Sequence, residues 1–154
     1  AVQSMTGLGL MSGTGSGKFS PNADTTRAMI VTILARLDGE ETSGTPWYAA
    51  GRAWAMENGV SDGTNMDGKI TREQLCAMLY RYAQLRGYDT TQGGMAIREF
   101  ADYGSISAYA LDAMTWAVNA GLVQGRSGRL APQGYATRAE IAVILGRFLT
   151  NIVK

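Results

Sequence analysis

Three arginines stand at matching places in this 154-residue chain and offer the clearest potential for chemistry. Arg27, Arg72 and Arg138 each follow a threonine directly and precede an apolar run of helical period. A helix N-terminus presents free backbone amides, and a guanidinium beside them would complete a receptor for a carboxylate or a phosphate. A cation there is otherwise disfavoured by roughly 0.3–1 kcal/mol, because the N-terminus is the positive end of the helix dipole. An anion-binding role and a structural ion pair to a neighbouring repeat both account for the pattern.

The helices that would position these arginines are marked by their caps. A threonine at the helix start is a favourable N-cap, because its hydroxyl accepts a bond from an amide of the first turn. The pairs Thr71–Gln74 and Thr137–Glu140 fit the reciprocal capping box, whereas Met29 leaves the first copy with the threonine cap alone. The apolar stripe behind each arginine has helical spacing, and we therefore predict an α-helix at each of the three places.

Each arginine helix belongs to a longer unit that occurs three times. When the copies are aligned on the arginine, Leu34, Leu79 and Leu145 coincide. An aromatic amphipathic helix precedes the second and third copies, with Trp47 and Tyr109 matched near its start. Self-similarity of this length indicates one structural unit used three times. The same alignment predicts left-handed helix ends at Gly59 and Gly121 and core positions for Trp54 and Trp116.

A glycine-rich loop joins the two helices of each copy, and its apolar residue is expected to plug the core. These residues are Phe19, Ile70 and Leu130. Because Ala1 aligns with the interior of the aromatic helix, we expect the first copy to lack the start of that helix. The alignment predicts repeats at 1–38, 44–87 and 99–154, which together form one compact domain.

The bulk composition bounds the function. Hydrophobic residues make up 45% of the chain, charged residues 18%, and the net charge is +1. These values are typical of a soluble globular protein and exclude a basic field that would attract nucleic acid. The chain has no histidine, which removes the usual general base and zinc ligand. The one cysteine, Cys76, falls on an apolar stripe and is expected to be buried. We therefore predict no catalytic residue, no metal site and no cofactor.

The order of these motifs resembles one family. A Thr-Arg-Ala-Glu helix start, a preceding Gly-Leu-Val-x-Gly turn and a glycine loop with an apolar plug are all present. An earlier Phe-x-Asp stands ahead of the aromatic helix. Together they resemble the S-layer homology (SLH) module in three tandem copies, the first truncated at its start. The resemblance implies an all-α fold, in which three helix-loop-helix repeats form a pseudo-threefold prism around a central helical bundle.

The resemblance also implies a non-catalytic anchor on the Gram-positive cell surface. Such modules bind a secondary cell wall polysaccharide in inter-repeat grooves, through pyruvylated N-acetylmannosamine. They belong to larger exported surface proteins. No apolar run here is long enough to cross a bilayer, and the first residues lack the features of a signal peptide.

The motif arginines are the implied ligand-binding residues, and a pyruvyl carboxylate suits a guanidinium. Trp47 and Tyr109 could stack on a sugar ring, and Glu140 completes the motif of the third copy. That copy is the most complete, so Arg138 is expected to contribute most, with one or two grooves carrying most of the affinity. Turn residues that could hydrogen-bond sugar hydroxyls are Ser12, Gly13, Ser61, Asp62, Gly63, Gln124 and Gly125.

Three other interpretations remain open at this point. A protein-binding helical repeat would use the same grooves for a peptide. A calcium-binding, dockerin-like loop is suggested by residues 65–70, although Gly63 and Gln74 then stand where acidic ligands are needed. A glycosidase would need two converging carboxylates, such as Asp62 and Asp67, but no such pair repeats.

Overall fold

The computed structural model describes residues 25–42, 48–90, 96–124 and 128–153. Within these ranges the chain is helical and contains no β-strand, only isolated bridges. The prediction of an all-α fold is confirmed. The α-helices are α1 (Arg27–Leu37), α2 (Ala49–Glu57), α3 (Arg72–Arg86), α4 (Leu111–Asn119) and α5 (Arg138–Phe148). Short 3-10 segments cover Ala96–Glu99, Tyr103–Ser105 and Ala108–Ala110, and a π-helical turn covers Leu149–Val153.

The threonine caps form as predicted. The hydroxyl of Thr26 accepts a bond from the Met29 amide at 3.3 Å. At α3 the Gln74 amide donates to the Thr71 hydroxyl at 3.2 Å, and the Gln74 side chain accepts from the Thr71 amide at 3.0 Å. Glu140 forms the same reciprocal pair at the start of α5, with the return bond stretched to 3.5 Å. Local chemistry therefore fixes where the arginine helices begin.

The described residues form two compact units. One holds the described residues up to Ile70 together with Ala136–Val143, and the other holds Thr71–Tyr135 and the residues from Ile144 onward. The predicted repeat boundaries and their union into one domain stay predictions.

In the first unit α1 packs directly on α2. The helices approach closely at Gly51, where an added Cβ would lie 2.8 Å from the Cα of Thr32. Trp54 is buried beside them, and its indole nitrogen donates to the Asp38 carboxylate at 3.0 Å.

In the second unit α3 packs on α4 around a cluster of aromatic rings. The Phe148 ring is central, with ring centroids of Tyr82, Tyr88 and Trp116 at 6.1, 6.3 and 6.3 Å. The Trp116 indole nitrogen donates to the Asp89 carbonyl at 3.1 Å. The core positions predicted for Trp54 and Trp116 are both confirmed, since each side chain is buried.

The residues two places before each motif arginine meet in a closed ring of backbone hydrogen bonds within the first unit. The Thr25 amide donates to the Ala136 carbonyl at 3.2 Å, the Ala136 amide to the Ile70 carbonyl at 3.0 Å, and the Ile70 amide to the Thr25 carbonyl at 2.8 Å. At each of these three positions the backbone amide donates to one of the other two residues, and the backbone carbonyl accepts from the remaining one. The ring therefore joins the three positions that the sequence alignment treats as equivalent.

Other sequence predictions are also met. Gly59 and Gly121 have φ of 73° and 78°, so both end their helices in the left-handed region. Ile70 and Leu130 are buried plugs, while Phe19 lies outside the described residues. Cys76 is buried, and burial followed by the nearby Glu73 charge raises the pKa of its thiol to about 12. Such a thiol stays protonated at neutral pH and is unreactive.

Candidate functional site

The first amides of α1 and α3 are not free, which corrects one expectation from the sequence. The Arg27 and Ala28 amides donate to the carbonyls of Gly68 and Met66, both at 2.9 Å. These carbonyls belong to the loop of the next copy along the chain, so helix start and loop are joined by backbone bonds. At α1 the anion-binding potential therefore rests on the guanidinium alone.

The start of α3 repeats this arrangement within the second unit. The Arg72 amide donates to the Gly134 carbonyl at 2.9 Å and the Glu73 amide to the Pro132 carbonyl at 3.0 Å. Thr71 also forms an isolated antiparallel bridge with Tyr135. The loop of the third copy is thereby held against the first turn of α3.

The Arg72 side chain lies over this loop. Its Nη1 donates to the Ala131 carbonyl at 3.5 Å, the long end of the hydrogen-bonding range. A Cβ at Gly134 would meet the same nitrogen, so the guanidinium lies directly against the backbone of this glycine. Arg72 is partly exposed.

Tyr109 is bonded through its hydroxyl group to the first turn of α3, which also contains Arg72. The phenol donates to Oε2 of Glu73 at 3.2 Å, while the residue as a whole stays 54% exposed. Tyr135, whose backbone pairs with Thr71, is 52% exposed. Two largely exposed tyrosines are therefore attached to the residues on either side of Arg72, where a sugar ring could stack. We call Arg72, Tyr109, Tyr135 and the loop 131–134 the Arg72 site.

Sequence reasoning found Arg72 and Tyr109 but missed Glu73, Ser107, Gln133 and Tyr135. One signal was available for Glu73. The other two copies have alanine at its position, Ala28 and Ala139. A departure from a repeat at its functional motif is a reason to examine that residue.

Asp102, from the Phe-x-Asp motif, holds the loop of the Arg72 site through hydrogen bonds to its backbone. Its two carboxylate oxygens accept bonds from the Leu130 and Ala131 amides, both at 2.8 Å. Burial raises the pKa of this carboxyl, but the two amide bonds outweigh it and hold the pKa below the ordinary value. The charged form is thus favoured in the folded protein.

We expect Asp102→Ala to lower the free energy of unfolding at pH 7 by about 1–2 kcal/mol, the range for hydrogen bonds to a charged group reduced for partial exposure. Because the folded-state pKa is depressed, this stability is present above the unfolded-state pKa of about 3.9 and is lost as the pH falls through the folded-state value. Urea unfolding at a series of pH values from 7 to 3 measures the difference in unfolding free energy between wild type and variant. We expect this difference to become smaller in acid. Asp67→Ala, at an exposed residue, is the control. A difference that is constant across this range would contradict the assignment.

In the first unit, the predicted turn Ser61–Gly63 lies within electrostatic range of Arg27, through Asp62. Ser61 is buried and its hydroxyl accepts from the Gly63 amide at 3.2 Å. Asp62 is exposed, and bonds from the Thr64 hydroxyl and amide lower the pKa of its carboxyl, with a further contribution from the Arg27 charge. The guanidinium of Arg27 thus lies within electrostatic range of Asp62, and its Nε is buried without a hydrogen-bond partner.

Arg138 differs from the other two motif arginines. It is only 2% exposed, its Nη1 contacts the Sδ of Met29 at 3.7 Å, and burial lowers the pKa of its guanidinium. Glu140 is engaged in the cap of Thr137. The copy expected from sequence to contribute most therefore has the most enclosed of the three motif arginines, whereas Arg72 is partly exposed.

The remaining predicted site residues are less informative. Gln124 is exposed, and its side-chain oxygen accepts from Nη2 of Arg147 at 3.5 Å. Trp47, Ser12, Gly13 and Gly125 lie outside the described residues. Across the described ranges, no group of three or more acidic or cysteine side chains could hold a metal ion. No helix in those ranges is both long and apolar enough to span a membrane.

Comparisons with known proteins agree with this architecture. A chain described as an undecaheme cytochrome from the S-layer of Carboxydothermus ferrireducens matches with a TM-score of 0.54 and 19% identity, over 88% of this chain and 19% of that one. The two share a fold. The surface-layer 125 kDa protein of Lysinibacillus sphaericus is 26% identical over 99% of this chain and 14% of its own length. The amylopullulanase of Thermoanaerobacterium thermosulfurigenes is 31% identical over 83% of this chain and 8% of its own.

The present chain thus spans a small part of these relatives. The sequence profile of the S-layer homology domain matches residues 1–28 and 99–142, which include the motif arginines Arg27 and Arg138. The repeated helix starts, the loops bound to them and these similarities agree, and the chain belongs to the S-layer homology domain family, whose domain is a cell-surface anchoring module.

Proposed function

We propose that this chain is a non-catalytic module that anchors a larger exported protein by binding a secondary cell wall polysaccharide of a Gram-positive envelope. The ligand we propose is pyruvylated N-acetylmannosamine. Relatives with different names, a surface-layer protein and an amylopullulanase, contain a similar segment as a small part of their length. A segment shared by a structural protein and an enzyme is better explained by a common location than by a common reaction.

One observation carries the proposal: Arg72 is partly exposed, and the exposed Tyr109 is bonded to Glu73 in the same helix turn. A guanidinium presents two parallel N–H donors, which match the two oxygens of a carboxylate. A pyruvyl ketal supplies such a carboxylate directly on a sugar ring. The C–H face of that ring suits the flat, half-exposed phenol of Tyr109.

The loop gives this site its shape. Gly134 lies directly beneath the guanidinium, and Asp102 holds the backbone at Leu130 and Ala131. A receptor that is rigid before the ligand arrives loses less conformational entropy on binding. The proposed role of the loop is therefore to present the cation, and the amides of the helix start serve to hold the loop.

Binding to wall preparations tests the proposal. We expect the chain to sediment with purified walls and to lose most of this binding when the pyruvyl groups are removed by mild acid, because the carboxylate is then absent. Protease-treated walls are the matched control and are expected to bind as well as untreated walls. Equal binding to pyruvylated and depyruvylated walls, or loss after protease treatment, would instead favour the protein-binding interpretation.

A further inference from the structure

Glu73 is a buried carboxylate of the second unit that accepts hydrogen bonds from neutral groups. It is 4% exposed, and four neutral donors surround it. Oε1 accepts from the Ser107 amide at 3.0 Å and from the Gln133 side chain at 3.1 Å. Oε2 accepts from the Ser107 hydroxyl at 2.6 Å and from the Tyr109 phenol at 3.2 Å. Burying a carboxylate is costly unless its oxygens are satisfied, and here each oxygen has two donors.

The donors come from two separate parts of the chain. Ser107 and Tyr109 lie in the segment that enters α4, and Gln133 lies in the loop beneath Arg72. The side-chain amide of Gln133 also donates to the Ser105 carbonyl at 2.7 Å, which gives a second connection between the loop and the segment before α4. A single side chain, one residue after Arg72, therefore ties the aromatic residue and the loop of the Arg72 site to the first turn of α3.

Neither of the other motif copies can do this. Ala28 and Ala139 occupy the position of Glu73, and a methyl group accepts no hydrogen bond. The Arg72 site thus has a carboxylate that holds its aromatic side chain, and the residues after the other two arginines have no such group.

We propose that Glu73 is the positioning residue of the Arg72 site, and that it makes this site the preorganised, high-affinity one by holding the Tyr109 ring in place for an acidic sugar. The inference rests on the proposed function. Glu73 itself does not touch the ligand. It acts through the phenol of Tyr109, so that the ring does not have to be ordered when the sugar arrives.

Glu73→Gln is the main test, because it keeps the size of the side chain but replaces one accepting oxygen with an NH2 group, which cannot accept a bond from the donors around Glu73. Ordering a free side chain on binding opposes association, and we expect about three- to tenfold weaker binding of purified wall polysaccharide fragments by calorimetry. Tyr109→Phe keeps the ring and removes the hydroxyl that bonds to Glu73, and a similar loss is expected. The double variant should lose clearly less affinity than the two single losses combined, because both changes break the same Glu73–Tyr109 bond.

The fluorine NMR signal of Tyr109 distinguishes a loss of ring positioning from a general loss of protein stability. In protein labelled with 3-fluorotyrosine, the Tyr109 resonance is assigned by its absence in Tyr109→Phe. We expect one narrow line in wild type, a broadened line in Glu73→Gln, and a shift on adding ligand. Ser107→Ala is the matched control. It removes one donor from the same carboxylate, lowers the melting temperature, and leaves the Tyr109 line narrow and the affinity near wild type.

The outcomes distinguish the inference from the function on which it rests. If Arg72→Ala binds the polysaccharide as wild type does, the proposed function fails. If Arg72→Ala weakens binding tenfold or more while Glu73→Gln binds as tightly as wild type or more tightly, only the positioning role is overturned. Full additivity of the Glu73→Gln and Tyr109→Phe losses would overturn it as well.

Discussion

Replacing Arg72 with alanine is expected to weaken polysaccharide binding by about 10- to 100-fold. The estimate follows from the 1.5–3 kcal/mol typical of hydrogen bonds to charged groups, at 1.4 kcal/mol for each tenfold change. Arg72→Lys retains the charge but not the planar pair of donors, so we expect an intermediate loss. Calorimetric titration with pyruvylated wall fragments at fixed ionic strength measures both variants.

The control for net charge is Arg98→Ala, in the same unit. Arg98 is an exposed residue of the 3-10 segment Ala96–Glu99 and has no part in the Arg72 site. We expect it to leave the affinity within about twofold of wild type, since an exposed charge remote from a ligand is screened by salt. The proposed role of Arg72 would be wrong if the two alanine variants lost affinity equally, because the effect would then come from charge alone.

Replacing Trp116 with alanine is expected to have the largest effect on stability, about 3–5 kcal/mol of unfolding free energy. The side chain is 1% exposed and packs against Phe148 and against Tyr80, whose ring centroid is 5.5 Å away. Its removal leaves a cavity and also removes the hydrogen bond from the indole nitrogen to the Asp89 carbonyl. Chemical denaturation followed by circular dichroism measures the change.

Trp116 and Tyr135 form an informative pair, because both are large aromatic residues of the second unit with opposite exposure. Tyr135→Ala removes a side chain that is 52% exposed, and we expect a loss of under about 1 kcal/mol. A mild effect of Trp116→Ala, similar to that of Tyr135→Ala, would show that the aromatic cluster around Phe148 is not the core of this unit.

Much of the fold follows from features that are local in sequence. Thr71 and Gln74 are three residues apart, so their reciprocal bonds form whenever the helix starts there. The apolar stripes place Leu34 and Leu79 inward for the same reason, since side chains at helical spacing share one face. These interactions need no partner from elsewhere in the chain, which is why three helix starts and the core tryptophans could be predicted.

The Arg72 site depends on residues that are distant in sequence. Glu73 bonds to Ser107 and Tyr109 across 34 and 36 residues, and to Gln133 across 60. No periodic pattern encodes such a meeting. The amides at Arg27 and Arg72 were expected to be free because a helix considered alone leaves them unpaired. Loops from the next copy take them instead.

The sequence by itself determined that three related helices begin with a capped threonine and a motif arginine, because capping and amphipathic spacing act within a few residues. Only the tertiary structure decided how those arginines differ. Arg138 is enclosed beside Met29, whereas Arg72 lies partly exposed on a glycine loop beside Tyr109. Burial depends on which distant segment packs over a side chain, and identical motifs can therefore acquire unequal access to a ligand.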